Sequence, residues 1–198
     1  MKQRLSIIFI FLLASLASFC QKVKIIPKIG LAVSDLTNQK LAVTDDYVDK
    51  EDSKPLIGII AGIGLEYSFC NHLEFISGLS YIQQGCSFKD VIDENGNNQK
   101  NKLHYDYLGL PIKIRYKITD GLGFSSGLVV SCLVRAKHNG ENVKSICKKF
   151  DCSLPISISY EFRNNMVVEA SYNIGLRNVY EEGSTKNRSL ICILGYKF

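Results

Sequence analysis

Three histidines, a run of five carboxylates and six internal cysteines are the residues whose types could carry chemistry. A hydrolase needs a nucleophile or a water activated by a positioned base. His72 falls in a short turn and His138 in a lysine-rich loop, while His104 precedes Asp106 by two residues. In an extended segment that spacing puts a base and an orienting carboxylate on one side, but it also arises by chance at any polar strand end. No catalytic residue is assigned. Asp45, Asp46, Asp49, Glu51 and Asp52 offer hard oxygen ligands, yet they lack the spacing and glycine of a dedicated calcium loop. They read as a solvated loop, or as loose ionic partners for Lys137, Lys144, Lys148 and Lys149. The cysteines at 70, 86, 132, 147, 152 and 192 form no CxxC pair and have no histidine at metal spacing, so neither a zinc site nor any cofactor is expected. Cys147 with Cys152, or Cys132 with Cys152 across a hairpin, are the bridge options; small buried or lipid-facing thiols are the plainer reading.

The N-terminus reads as an export signal. Lys2 and Arg4 precede the apolar run Leu5 to Ala17, and Ser18-Phe19-Cys20 makes a small-x-small site before Gln21. Phe19 is too large for the position before a lipidated cysteine, so simple cleavage is expected, with residues 1–20 as signal peptide and 21–198 as one domain. Cleavage removes two cations and no acid, leaving 22 basic against 19 acidic residues, a net +3. So mild a charge gives no reason to expect nucleic acid.

The segment from Leu103 to Ile118 shows how that domain is built. Leu108, Leu110, Ile112, Ile114, Tyr116 and Ile118 alternate with Gly109, Pro111, Lys113, Arg115 and Lys117, the period of a β-strand with two unlike faces. About ten such residues cross a bilayer when the strand is tilted. The same pattern recurs over Val23 to Ser34, Leu56 to Phe69, Leu73 to Phe88, Leu122 to Val134, Cys152 to Arg163, Met166 to Tyr180 and Arg188 to Phe198. Links of residues 35–54, 89–102, 135–151 and 181–187 are long; those around His72, Asp120 and Asn164-Asn165 are tight. This alternation predicts an all-β, eight-stranded antiparallel up-and-down transmembrane β-barrel, with long loops at one mouth.

The apolar face must point to lipid rather than to a soluble core. It carries essentially no charge, and the polar face carries Gly58, Gly62, Gly64, Gly78, Gly109, Gly127, Gly175 and Gly195, which suits a narrow interior. Aromatics from Tyr67 to Phe198 gather near the tight-turn ends, as an interfacial girdle does.

The chain resembles the PorT-like outer-membrane β-barrel family of Gram-negative bacteria. The resemblance rests on Lys28-Ile-Gly-Leu31, Gly62-Ile-Gly-Leu-Glu-Tyr67, Gly78-Leu-Ser-Tyr-Ile-Gln-Gln-Gly85, Tyr107-Leu-Gly-Leu-Pro-Ile-Lys-Ile-Arg-Tyr116 and the terminal Phe198. It implies a location in the outer membrane, contact with outer-membrane lipid, and insertion by the barrel-assembly machinery through the C-terminal strand. Some members are tied to type IX secretion, which makes an unknown secretion-complex partner an expectation. Where such members often carry a carboxylate this chain has Gly109, and no site is carried over.

The polar face itself yields a candidate site. Glu66, Glu74, Glu161 and Glu169 lie toward the tight-turn end, with Lys28, Lys113, Arg115, Arg163 and Lys197. An eight-stranded barrel is only wide enough for side chains to fill, and buried charges without partners are costly. An ionic network plugging the periplasmic half is therefore expected. Above it a shallow outer cup is expected, lined by Ser80, Gln84, Tyr105, Tyr107, Ser131 and Asn173. The functional reading is a non-enzymatic barrel whose polar loops form a surface-binding head, with a secretion or envelope-assembly accessory and a small-ligand carrier as alternatives.

Overall fold

The computed structural model describes residues 23–37, 53–87, 91–92, 98–99, 102–180 and 185–198; the expected signal at 1–20 and the acidic run at 45–52 lie outside them. The long strands are β1 (Val23–Thr37), β2 (Lys54–Ser68) and β3 (Leu73–Ser87). A two-residue pair, β4 (Val91–Ile92) and β5 (Asn98–Gln99), follows. Next come β6 (Lys102–Lys117), β7 (Leu122–His138), the short β8 (Glu141–Asn142) and β9 (Phe150–Glu161). The chain finishes with β10 (Met166–Asn178) and β11 (Lys186–Tyr196). Each long strand pairs antiparallel with its chain neighbours, β3 joins β6, β6 joins β7, and β1 pairs with β11 to close the ring. The molecule is a closed eight-stranded up-and-down barrel.

Alternation settles the faces. In β2 Ile57, Ile59, Ile63 and Leu65 are exposed, Ile57 by 70%, while Gly58, Ile60, Gly64 and Glu66 are buried. A polar exterior would reverse that pattern. At the tight-turn ends the outward aromatics pair edge to face: Tyr67 with Phe69 at 5.1 Å, Tyr160 with Phe162 at 4.9 Å and Tyr196 with Phe198 at 4.8 Å between ring centroids. These pairs form the girdle at the membrane boundary.

Two inward glycines permit the curvature of so small a ring. Gly78 sits at φ +140°, and a Cβ there would lie 2.2 Å from the Ile63 carbonyl oxygen. A Cβ on Gly127 would lie 2.1 Å from that of Ile112. Neither place admits a side chain, so the strands coil tightly where glycine stands.

β7 runs four residues past Val134, where the sequence pattern ends. A bulge between the Asp106–Arg135 and Tyr107–Leu133 pairs leaves Val134 unopposed, and the ladder resumes with Tyr105–Ala136 and Leu103–His138. Asn139 and Gly140, at φ 53° and 95°, then turn the chain into β8, the left-handed pair that a tight hairpin requires. Neither bridge option forms: Cys132, Cys147 and Cys152 carry free thiols. Cys147 is buried inward and Cys132 faces out, its register partner being Phe150, not Cys152.

Candidate functional site

The lumen carries the chemistry that distinguishes this barrel, and it is closed at two levels. On the tight-turn side, inward positions of β2, β3, β6 and β10 place Glu66, Glu74, Lys113, Arg115 and Glu169 in one layer, all buried, with Glu66 and Glu74 fully so. Arg115 is the hub. Its guanidinium donates to Glu66 at 2.6 Å and to Glu74 at 3.3 Å, and stands 3.7 Å from Glu169. Lys113 donates to Glu169 at 2.5 Å. Lys197, just past β11, bridges Glu66 at 2.6 Å and Glu161 at 2.5 Å, so the chain terminus is tied into the same layer. Fork geometry suits arginine to this position, since one planar group can serve several carboxylates.

The network differs from the expected set at three places. Lys117 belongs to it, donating to Glu74 at 2.5 Å. Lys28 is inward and half-buried, close enough to Lys113 and Glu169 to feel both charges, but without an ion pair of its own among the described residues. Arg163 must be corrected outright. β9 ends at Glu161, and Arg163 sits exposed in the turn beyond, where the chain has left the barrel wall and its alternation no longer applies.

Above the ions lies a layer of small polar side chains. Ser157 donates to Ser171 and Ser171 to Asn173, each at 2.9 Å, and Gln84 donates to Ser189 at 3.1 Å. Of the residues expected to line an outer cup, Ser80, Gln84 and Asn173 are buried here and Ser131 is half-buried.

The cup itself is not open. Tyr105 and Tyr107 are buried to 0% and 1% exposure, inside an apolar cluster of Leu36, Cys86, Leu103, Leu133, Ala136, Cys147 and Val179. The physical reason is the loop after β8, which folds back over the mouth. Val143 N–H donates to the Ala136 carbonyl at 3.1 Å, Lys148 N–H to that of Val179 at 2.8 Å, and Cys147 bridges to Tyr180. The hydroxyls of Tyr105 and Tyr180 meet at 2.6 Å. Asn187 donates to Asp151 at 2.7 Å and to the Tyr107 hydroxyl at 3.4 Å, while its own side-chain oxygen is buried without a hydrogen-bond partner among the described residues. Asp151, Asn187 and Tyr180 had no place in the expected site, because pattern put them in loops or at strand ends.

His104 is exposed on the outer face, and the carboxylate of Asp106 is taken by Arg135 Nε at 2.5 Å. His72 stacks on Tyr116 at 6.2 Å between ring centroids.

With this geometry established, comparison with known families gives a direct answer. The model of the outer membrane protein beta-barrel domain matches residues 16–181. The chain belongs to that family. Comparison with proteins of curated function finds no match. Among solved structures, the barrel is similar to Ail, the attachment invasion locus protein of Yersinia pestis, crystallised with the heparin analogue sucrose octasulfate. The TM-score is 0.51 at 17% identity, covering 89% of this chain and 99% of that one. Neisserial surface protein A aligns with a TM-score of 0.45 at 15% identity, covering 89% and 97%. OprG of Pseudomonas aeruginosa gives 0.45 at 12% identity, covering 89% and 96%. The likeness to Ail is one of fold, and with the family match it makes this an outer-membrane β-barrel protein.

Proposed function

We propose that this is a non-conducting, non-enzymatic outer-membrane barrel that works through its long extracellular loops as a binding or interaction head. The observation that carries the reading is the doubly closed lumen. An ionic layer on Arg115 and an apolar cap on Tyr105 leave the interior to structural use, so recognition falls to what stands outside the membrane. The same closure disfavours the small-ligand carrier. In this reading residues 1–20 direct export and are cleaved, and the C-terminal strand ending at Phe198 presents the chain to the barrel-assembly machinery. A finer placement in the PorT-like branch, with an accessory role in a secretion complex, is favoured by one feature, the Tyr107 to Tyr116 segment with its Pro111 and Arg115.

Photo-crosslinking in intact cells from Lys50, Lys100 and Lys144, one in each of three long loops, tests the proposal. An interaction head gives a discrete crosslinked partner from at least one loop position and none from Asp120 in a periplasmic turn. Crosslinks from the turn alone would overturn it.

A further inference from the structure

The outer surface of β6 and β7 carries a feature that neither the sealed lumen nor the loops require. On β6 the outward residues are apolar from Tyr116 to Leu108 and then change to Asp106 and His104. Eight steps of about 3.4 Å along a strand tilted by about 40° span roughly 21 Å of height, so Asp106 stands just above the apolar band, in the headgroup layer of the outer leaflet. There the bulge turns Val134 and Arg135 outward in succession, before Ala136 returns to the interior. Without the extra residue Arg135 would point into the apolar cap.

Three cations stand along this edge of the wall. Arg135, its side chain 55% exposed, is fixed by the buried Asp106. Lys137 is exposed directly opposite His104. The ammonium of Lys144 reaches back to the carbonyl of Val134 at 2.8 Å, which brings it beside Arg135. Among the described residues Asp106 answers one of the three charges, Lys102 adds a further positive charge on β6, and the other carboxylate of this edge, Glu141, stands opposite His138 on β8. The neutral Gln83 lies opposite Asp106 in register and donates to the Tyr81 hydroxyl at 3.2 Å, supplying polar side chains alongside. Elsewhere on the rim the balance differs: Arg188 stands opposite Asp35, one charge against one.

We infer that Arg135, Lys137 and Lys144 form a binding site for a phosphate-bearing lipid of the outer leaflet. The occupant follows from position and charge. Side chains turned outward at this height face lipid headgroups, and excess positive charge there is answered by phosphate. The inference rests on the outer-membrane placement and not on the sealed lumen; conductance reports on the lumen and lipid retention on this site, so either can fail alone.

Native mass spectrometry of the mature barrel released from phosphatidylcholine nanodiscs, doped with bisphosphorylated lipid A or its phosphate-free form, tests the site. The wild-type barrel is expected to retain the phosphorylated lipid and to release the phosphate-free one. Because Arg135→Gln strips the partner from buried Asp106, the decisive variant is Lys137→Gln/Lys144→Gln, which leaves that pair intact. It should lower retention by about fivefold for each cation removed, while Arg188→Gln leaves it unchanged. Equal retention of the phosphate-free lipid, a double variant indistinguishable from wild type, or an equal loss in Arg188→Gln would each overturn the site.

Discussion

The two halves of the lumen close the same narrow bore by opposite physics. The periplasmic half is charged, and its stability depends on every carboxylate keeping a cation: Glu66, Glu74 and Glu169 all lean on Arg115. The extracellular cap is largely apolar, and Tyr105, Leu103, Leu133 and Cys147 hold it by packing, with the Asn187–Asp151 hydrogen bond as its polar part. An ionic plug is brittle, because removing one partner strands the others in a poor solvent, whereas an apolar cap loses energy in proportion to the volume removed. The placement is sensible for assembly as well. The ionic half is built from strand positions and the terminal Lys197, whereas the cap needs a loop to fold back.

The largest effect should come from the hub. Arg115→Ala leaves Glu66 with Lys197 and Glu74 with Lys117 but removes the charge between them, and should lower the stability of the refolded barrel by about 3–5 kcal/mol. Urea unfolding in lipid vesicles measures it; a loss under about 1 kcal/mol would mean these charges are independently hydrated. Tyr105→Ala opens a cavity in the cap and should cost about 3 kcal/mol in the same assay. Tyr105→Phe, which removes only the hydroxyl contact with Tyr180, should cost about 1 kcal/mol. If both tyrosine variants cost the same, the hydroxyl pair and not the packing holds the cap. Lys117→Ala takes the most exposed cation from the network while Glu74 keeps Arg115, and a cost of roughly 1 kcal/mol is expected. Arg163→Ala, in the exposed turn, should change stability by no more than about 0.5 kcal/mol; a larger loss would return it to the network.

Most of the periplasmic half could be read from the sequence, because strand alternation fixes which side of the wall a residue faces. Glu66, Glu74, Lys113, Arg115 and Glu169 each occupy an inward position within a long, regular run, so parity alone places them together. Arg163 shows where that logic ends: parity does not hold two residues past the end of β9, where the chain turns. Lys117, at the last position of β6, lies at the same kind of boundary but on the paired side. The extracellular half was much less legible. Tyr105 and Tyr107 face inward as expected, but their burial depends on where the segment from Val143 to Lys148 folds, and no periodicity encodes that. The bulge at Val134 is likewise invisible to alternation, since it is a single residue that changes the register beyond it and turns Arg135 from a loop residue into one on the outer wall.

The doubly closed lumen is the claim on which the proposed function depends, and single-channel recording of the wild-type barrel in planar bilayers addresses it most directly. If the layer of paired ions and the tyrosine cap seal the bore, as proposed, inserted barrels should show no steady conductance. Steady, large openings from wild-type protein would contradict the account and make this barrel a pore.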